Sequence, residues 1–288
     1  MERVIPWQEI QDWFNGHIRR NANKPGRPAY PIMLMFKIHL LQQWYNLSDR
    51  DAEFQINDRL SFRKFLGLGI EDNIPDSAAI ENFRHFIWEE HNIGKELIKI
   101  LDKYFKQIGL IKKEGNLIDA SFIKANSKPH VNPNKNSDID AQSGYKGFGY
   151  SGTINMDKKT KLIRRTEVTP ANILDFRSIK PVIIGDEKVI YADKGYVPAE
   201  KELRKIYPKI ELRIMHKRKK YQQLNEIQKE QNKIYAKERA RVEHAFAAIK
   251  SVFKFTRLRY RGLERAAEKF NSLVIAYNFF RLGFLMRN

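Results

Sequence analysis

Near Gly115 the spacing of the apolar residues changes, and that change decides what kind of fold the chain can adopt. Before it, apolar side chains recur every three or four positions, as in helices that bury one stripe. Residues 31–45 read as an apolar helix, and Ser48 with Asp51 supplies a capping box for a helix over 51–60. Asp76 or Ser77 caps a helix carrying Ala79, Ile80, Phe83, Phe86 and Ile87 at helical spacing. A further helix is expected over 94–108, with Leu97, Ile98, Leu101, Tyr104 and Phe105 as its stripe. After Gly115 the apolar runs become short and β-prone, at 116–123, 150–156, 161–168, 188–192 and 210–215. The second and third of these read as an antiparallel hairpin joined through the polar 157–160. A helix is expected at 198–206 and a long helix-prone stretch at 222–253. Residues 126–147, rich in Asn, Ser, Pro, Lys and Gly, read as a loop. The order of elements predicts an all-helical N-terminal domain, 1–110, followed by an α/β domain with a mixed sheet, 111–288. No internal repeat is visible.

Charge narrows the function. The chain carries 53 Lys+Arg against 34 Asp+Glu, a net of +19. Residues 1–100 contribute −1, residues 101–200 +5, and residues 201–288 +15, so the excess is concentrated at the back. Such concentration in a folded chain points to a polyanion, whereas a uniformly solvated surface would spread it. No basic helix with a clean apolar face is present, which favours nucleic acid over membrane. The absence of cysteine excludes disulfides and cysteine-bearing zinc sites. The start lacks the apolar core of a secretory signal, and the most apolar stretch, 31–41, holds Lys37 and His39 and is too short to span a bilayer. A soluble, cytoplasmic protein is expected. The basic, turn-rich segment 19–28 reads equally well as a phosphate contact or an ordinary exposed loop.

The candidate chemistry lies in carboxylates. Gly147, Gly149 and Gly152 fit G-x-G-x-x-G, but a polar loop precedes them and a strand follows, the reverse of a dinucleotide fingerprint. The seven histidines show no metal-ligand spacing. Asp119, by contrast, interrupts the apolar run Leu117-Ile118-Asp119-Ala120, and Asp193 ends the run Val189-Ile190-Tyr191-Ala192. An acid in or at the end of a buried strand is costly unless paired or bound to metal. Either one alone fits a strand-end turn residue. Two in one sheet with Glu243 on a following helix suggest a cluster, and all-oxygen ligands suit Mg²⁺ or Mn²⁺. At α-helical spacing Arg239, Glu243 and Lys250 share one face, beside an apolar stripe of Val242, Phe246, Ile249 and Phe253. The alternative is a surface Arg239–Glu243 pair at i,i+4.

These blocks carry a resemblance. Leu-Ile-Asp119-Ala-Ser, Val-Ile-Tyr-Ala-Asp193-Lys-Gly-Tyr and Arg239-x3-Glu243-x6-Lys250 are similar to the three catalytic blocks of DDE transposases of bacterial insertion sequences, specifically the IS-five family. Residues 148–157, 161–165, 168–176 and 259–263, the apolar helix 271–285, and the helical front end agree with the same family in order. The family places a tyrosine three residues before the arginine. Here position 236 is Ala236 and the tyrosine is Tyr235.

The resemblance implies an RNase H-like core in which Asp119, Asp193 and Glu243 hold two Mg²⁺ or Mn²⁺ ions. It implies cleavage of double-stranded DNA at the element's terminal inverted repeats, strand transfer into target DNA, and a homo-oligomer, a dimer, on that DNA. Arg239, Lys250, Lys194, Arg241, Arg261 and the run Lys217, Arg218, Lys219, Lys220 are the expected phosphate contacts. A nuclease on the same fold and a non-catalytic DNA-binding derivative are the rival readings. The 49 residues between Asp193 and Glu243 leave no room for the large insertion that some relatives use to handle a hairpin DNA end.

Overall fold

The computed structural model describes residues 5–18, 28–89, 93–112, 114–127, 138–218 and 221–287. The front of the chain is helical: α1 (Trp7–His17), α2 (Ile32–Tyr45), α3 (Asp49–Asp58), α4 (Leu60–Leu66), α5 (Ser77–Glu89) and α6 (Ile93–Gln107). Helix α3 starts at the expected capping box. Asp51 N–H donates to Ser48 Oγ at 3.1 Å, and Ser48 N–H donates to the Asp51 carboxylate at 3.2 Å. Of the two candidates for the α5 cap it is Asp76 that acts, accepting from Ala79 N–H at 2.7 Å. The α6 stripe is buried at Leu97, Ile98, Leu101 and Phe105. Of the basic segment 19–28, residues 19–27 lie outside the described residues.

Six strands follow: β1 (Asn116–Lys124), β2 (Gln142–Gly144), β3 (Gly147–Asp157), β4 (Ile163–Pro170), β5 (Val189–Ala192) and β6 (Glu211–Ile214). Strands β2 and β4 both pair with β3, and the sheet continues through β1 and β5 to β6. β3 runs antiparallel to β1 and β4, while β1, β5 and β6 are mutually parallel. This is the mixed sheet expected, preceded by helices. One expectation needs correcting: within the segment read as a loop, Gln142–Gly144 forms strand β2 against Gly147–Gly149. The glycine motif lies within β3. A side chain at Gly149 would run into the Ile123 carbonyl, and one at Gly152 would press on the Phe270 ring. These glycines let backbone and ring approach closely, and no helix opens after them.

Parallel strands need crossovers. A 3₁₀ segment, Lys194–Ala199, leads into α7 (Glu200–Ile206), and together they bridge β5 to β6. The long helix-prone stretch becomes α8 (Glu226–Ala247), capped by Asn225 and Gln228, and ends in a π-helical turn, Ala248–Val252. The last helix, α9 (Leu263–Leu285), starts earlier than the expected 271. Among the described residues no helix is long and apolar enough to cross a membrane.

Strand alternation sorts the sheet residues into two cores. Ile118, Ile190, Ala192, Leu212 and Ile214 face Leu203 of α7 and Tyr196. Leu117, Tyr191, Tyr150 and Ile154 belong to the larger core with Val242, Ala245 and Ile249, and this core runs on through α9 into the front helices. Helix α9 contacts α2, α5, α6, β3 and β4. Asn278 clips it to β4 by accepting from Ile163 N–H and donating to Ile163 O, both at 2.8 Å.

One α9 residue gives a prediction. Glu268 is buried and accepts from Gly94 N–H at 3.0 Å, and burial pushes its carboxyl up from 4.5 to about 7. A raised acid favours the proton-bound folded state, so stability falls as pH rises from 4.5 through 7. Glu268→Gln keeps an oxygen for Gly94 but cannot ionise. It should gain on the wild type across that window, reaching about 3 kcal/mol above pH 7. Urea midpoints at pH 5 and pH 8 check this, and an equal difference at both would contradict it.

Candidate active site

Register places the two aspartates together. Ile118 pairs with Ala192 across the parallel strands β1 and β5, so Asp119 and Asp193 are the next residues along. Alternation then turns both toward the face of Leu117 and Tyr191, which α8 covers. There Arg239, projecting from α8, lies against both. Its Nη2 donates to Asp119 Oδ2 at 2.7 Å, and its Nη1 lies 3.8 Å from Asp193 Oδ1. The other Asp119 oxygen accepts from Ala120 N–H at 2.9 Å, and Asp193 Oδ1 accepts from Lys194 N–H at 2.6 Å, capping the 3₁₀ segment. Asp119 and Arg239 are mostly covered, at 20% and 18% side-chain exposure, while Asp193 is open at 37%. Burial disfavours the Arg239 charge, but Asp119 and then Asp193 outweigh it and keep the group a guanidinium.

The expected third acid stands apart. Glu243 is one α-turn beyond Arg239, is exposed, and makes no hydrogen bond or ion pair with the described residues. The surface Arg239–Glu243 pair is thus not what Arg239 makes. Among the described residues no three acids or histidines are close enough to share one metal ion. Lys250 falls in the π-helical turn, so the α-helical spacing that aligned it with Arg239 and Glu243 stops at Ala247. It is exposed there, and partial burial followed by the neighbouring Lys146 lowers its ammonium pKa.

The other expected phosphate contacts scatter. Lys194, Lys217 and Arg218 are exposed, as is Arg261 in the loop before α9. Arg241 lies 3.4 Å from Glu238 across one turn of α8. Lys219 and Lys220 lie outside the described residues. Tyr235, displaced by one position from the family pattern, meets Tyr191 edge-on at 6.0 Å.

Three residues at this end of the sheet were not singled out from the sequence. Asp175, in the 3₁₀ segment Asp175–Arg177, has its carboxyl raised by burial and by the charges of Asp119 and Asp193, against the pull of Lys146. Tyr196 is buried, and burial with Asp119 and Asp175 holds its hydroxyl proton firmly. Lys146, exposed on the turn between β2 and β3, feels both Asp175 and Lys250. Asp175 and Tyr196 lie within segments that resemble the family, so the signal was there. Lys146 carries none.

The donor set suits a hard divalent cation. Carboxylate oxygens on two adjacent strands already face a cationic group, and the nearby Met215 sulfur accepts from that same guanidinium at 3.5 Å. Metal-dependent chemistry fits these residues.

Residues 1–86 match a transposase domain (DUF772). A cryo-EM structure of a piggyBac transposase synaptic complex with hairpin DNA is similar over 96% of this chain and 72% of that chain, at 12% identity and a TM-score of 0.45. Residues 111–279, more than half of the length, match the transposase DDE domain, and the chain belongs to that family.

Proposed function

We propose that this DDE transposase is of the IS-five kind and that Asp119, Asp193 and Glu243 are its catalytic carboxylates. The helical front, residues 1–110, binds DNA, and residues 111–288 form the catalytic domain. The substrate is double-stranded DNA at the element's terminal inverted repeats, cut and then joined to target DNA by a dimer that holds two ends. The observation that carries this reading is the pair Asp119, within β1, and Asp193, just past the end of β5, side by side and facing one guanidinium.

When bound, two Mg²⁺ or Mn²⁺ ions would supply an activated water and charge stabilisation for an in-line displacement. Asp119, Asp193 and Glu243 would hold them. Arg239, which donates to Asp119, would be placed to take a phosphate oxygen instead. Lys250, Lys194, Arg241, Arg261 and residues 217–220 hold further phosphates along the duplex. Water attacks the scissile phosphodiester and O3′ departs, taking up a proton. The new 3′-hydroxyl then attacks a target phosphodiester, expelling another O3′.

The test is a strand-transfer assay with Mn²⁺ and donor duplexes ending in the inverted repeats that flank the coding sequence. Cut donor covalently joined to target plasmid is expected. Cleavage without joined product would make the protein a nuclease of the same fold, and DNA binding without cleavage would make it a non-catalytic derivative.

A further inference from the structure

A second polar cleft lies away from the carboxylates, between α2, α5 and α9. His39, Gln42 and Gln43 of α2 form one wall, and Arg84, Tyr260 and Lys269 close it. The cavity is about 20 Å³, room for one water or one phosphate oxygen. Its charges do not balance. Arg84 pairs with Asp49 at 2.8 Å and donates to Tyr260 Oη at 3.1 Å. Asp49 also accepts from Gln42 at 2.8 Å, and Asp51 is held in the α3 cap by Ser48. Lys269 donates to the Gln43 amide oxygen and pairs with no carboxylate among the described residues. Its neighbour Glu268 is turned to Gly94 of α6. Arg259 is exposed beside the cleft, and the Asp51 carboxylate feels its charge. Burial, then Arg259 and Arg84, pull the Lys269 ammonium down to about 7.

A half-buried ammonium without a counter-charge is unfavourable unless an anion arrives or the proton leaves. The polar groups that line the cleft include an ammonium, a guanidinium, a phenol and two amides. That set suits an oxyanion with several acceptor oxygens. The loop from Phe253 to Gly262 runs from the π-helical turn toward the cleft and carries Lys254, Arg257, Arg259 and Arg261, all exposed. It places four cationic side chains on one surface segment around the cleft-lining Tyr260. We infer that the cleft between α2, α5 and α9 is a phosphate-binding pocket in which Lys269 and Arg84, with Arg259 at the mouth, receive a backbone phosphate of the duplex. This rests on the chain acting on DNA, and not on which carboxylates are catalytic.

The test uses the full-length protein without Mg²⁺ or Mn²⁺, so it reads binding alone. Duplex affinity is measured by fluorescence anisotropy over a salt series for wild type, Lys269→Met, Arg259→Gln and the control Lys180→Ala, whose exposed ammonium pairs with Glu202. Each of the first two should weaken binding and make the slope of log K against log salt shallower by about 0.9, the control leaving it unchanged. Thermal melting with inorganic phosphate is the second arm. Phosphate should raise the wild-type midpoint and leave Lys269→Met where it was. A phosphate shift with unchanged duplex slopes would overturn the DNA assignment, leaving a free-anion pocket. Unchanged slopes with no phosphate shift would overturn the pocket altogether. If Lys269→Met melts without a cooperative transition, Arg259→Gln at the exposed mouth decides alone.

Discussion

Replacing Asp119 by asparagine should lower DNA strand cleavage by about 10³-fold or more, which corresponds to about 4 kcal/mol of lost transition-state stabilisation. Asparagine keeps the shape and an oxygen for Arg239, which donates to Asp119 at 2.7 Å, so the fold should survive. It removes the charge that a divalent cation needs. Asp193→Asn should behave alike, since Asp193 sits next to Asp119 across the parallel strands. Cleavage rates in saturating Mn²⁺, read beside Mn²⁺ binding by calorimetry, separate loss of chemistry from loss of metal. Wild-type cleavage by either variant removes that residue from the site. Glu243→Gln is the sharper case, because Glu243 is exposed with no partner among the described residues. The same loss is expected there. A wild-type rate would move the third ligand elsewhere, with Asp175 the acid that already feels both aspartates.

The largest stability effect is expected at Arg164. Its side chain has no exposed surface. It donates to Asp102 at 2.6 Å and to both Asp186 oxygens at 2.9 Å, while Lys106 bridges the same two acids at 2.8 Å each. The network ties β4 to α6 and to the loop before β5. Arg164→Met keeps the volume but strips Asp102, which is 1% exposed, of its shortest partner, leaving Lys106 at 2.8 Å and Arg165 at 3.5 Å on its other oxygen. Removing one partner of such a buried pair costs about 3–5 kcal/mol. The urea midpoint at pH 7 measures it, and a loss under about 1 kcal/mol would contradict the account. Asp102→Asn in the same chain should recover part of the loss, because the two sites share one network. A pH signature follows as well. Burial would raise the Asp186 carboxyl, but Lys106 and Arg164 outweigh it and hold it below its ordinary 3.8. That contribution is present above pH 3.8 and disappears as the pH falls through the lowered value. The acid limb of the stability curve should be shallower in Arg164→Met.

What could be read from the sequence was what short-range patterns encode. The capping box at Ser48 and Asp51, the α6 stripe and the hairpin of β3 with β4 all rest on spacing within a few residues. Asp119 and Asp193 stood out because each breaks an apolar strand, and the register of β1 and β5 brings them together. Strand β2 was missed because three polar residues show no alternation. The π-helical turn has no composition of its own, so the phase of Lys250 was drawn as though α8 continued. The Arg239 partner was read locally, as Glu243 one turn away, whereas the structure finds it 120 residues earlier in the chain, in Asp119. Lys146 and Asp175 belong to the site only through the curl of loops over the sheet end. The start of α9 was placed late because its first turn is polar.

Helix α9 also determines how the molecule can move. Running through the larger core, it touches the front helices on one side and β3 and β4 on the other. It acts as a keel between two parts that a flexible linker would leave free to swing. If the front helices hold DNA as proposed, it would be presented to Asp119 and Asp193 at a fixed offset, like stock clamped at a set distance from a blade. On the proposed reading, the distance from the bound end to the cut would then be set by how α9 is packed and not by a linker.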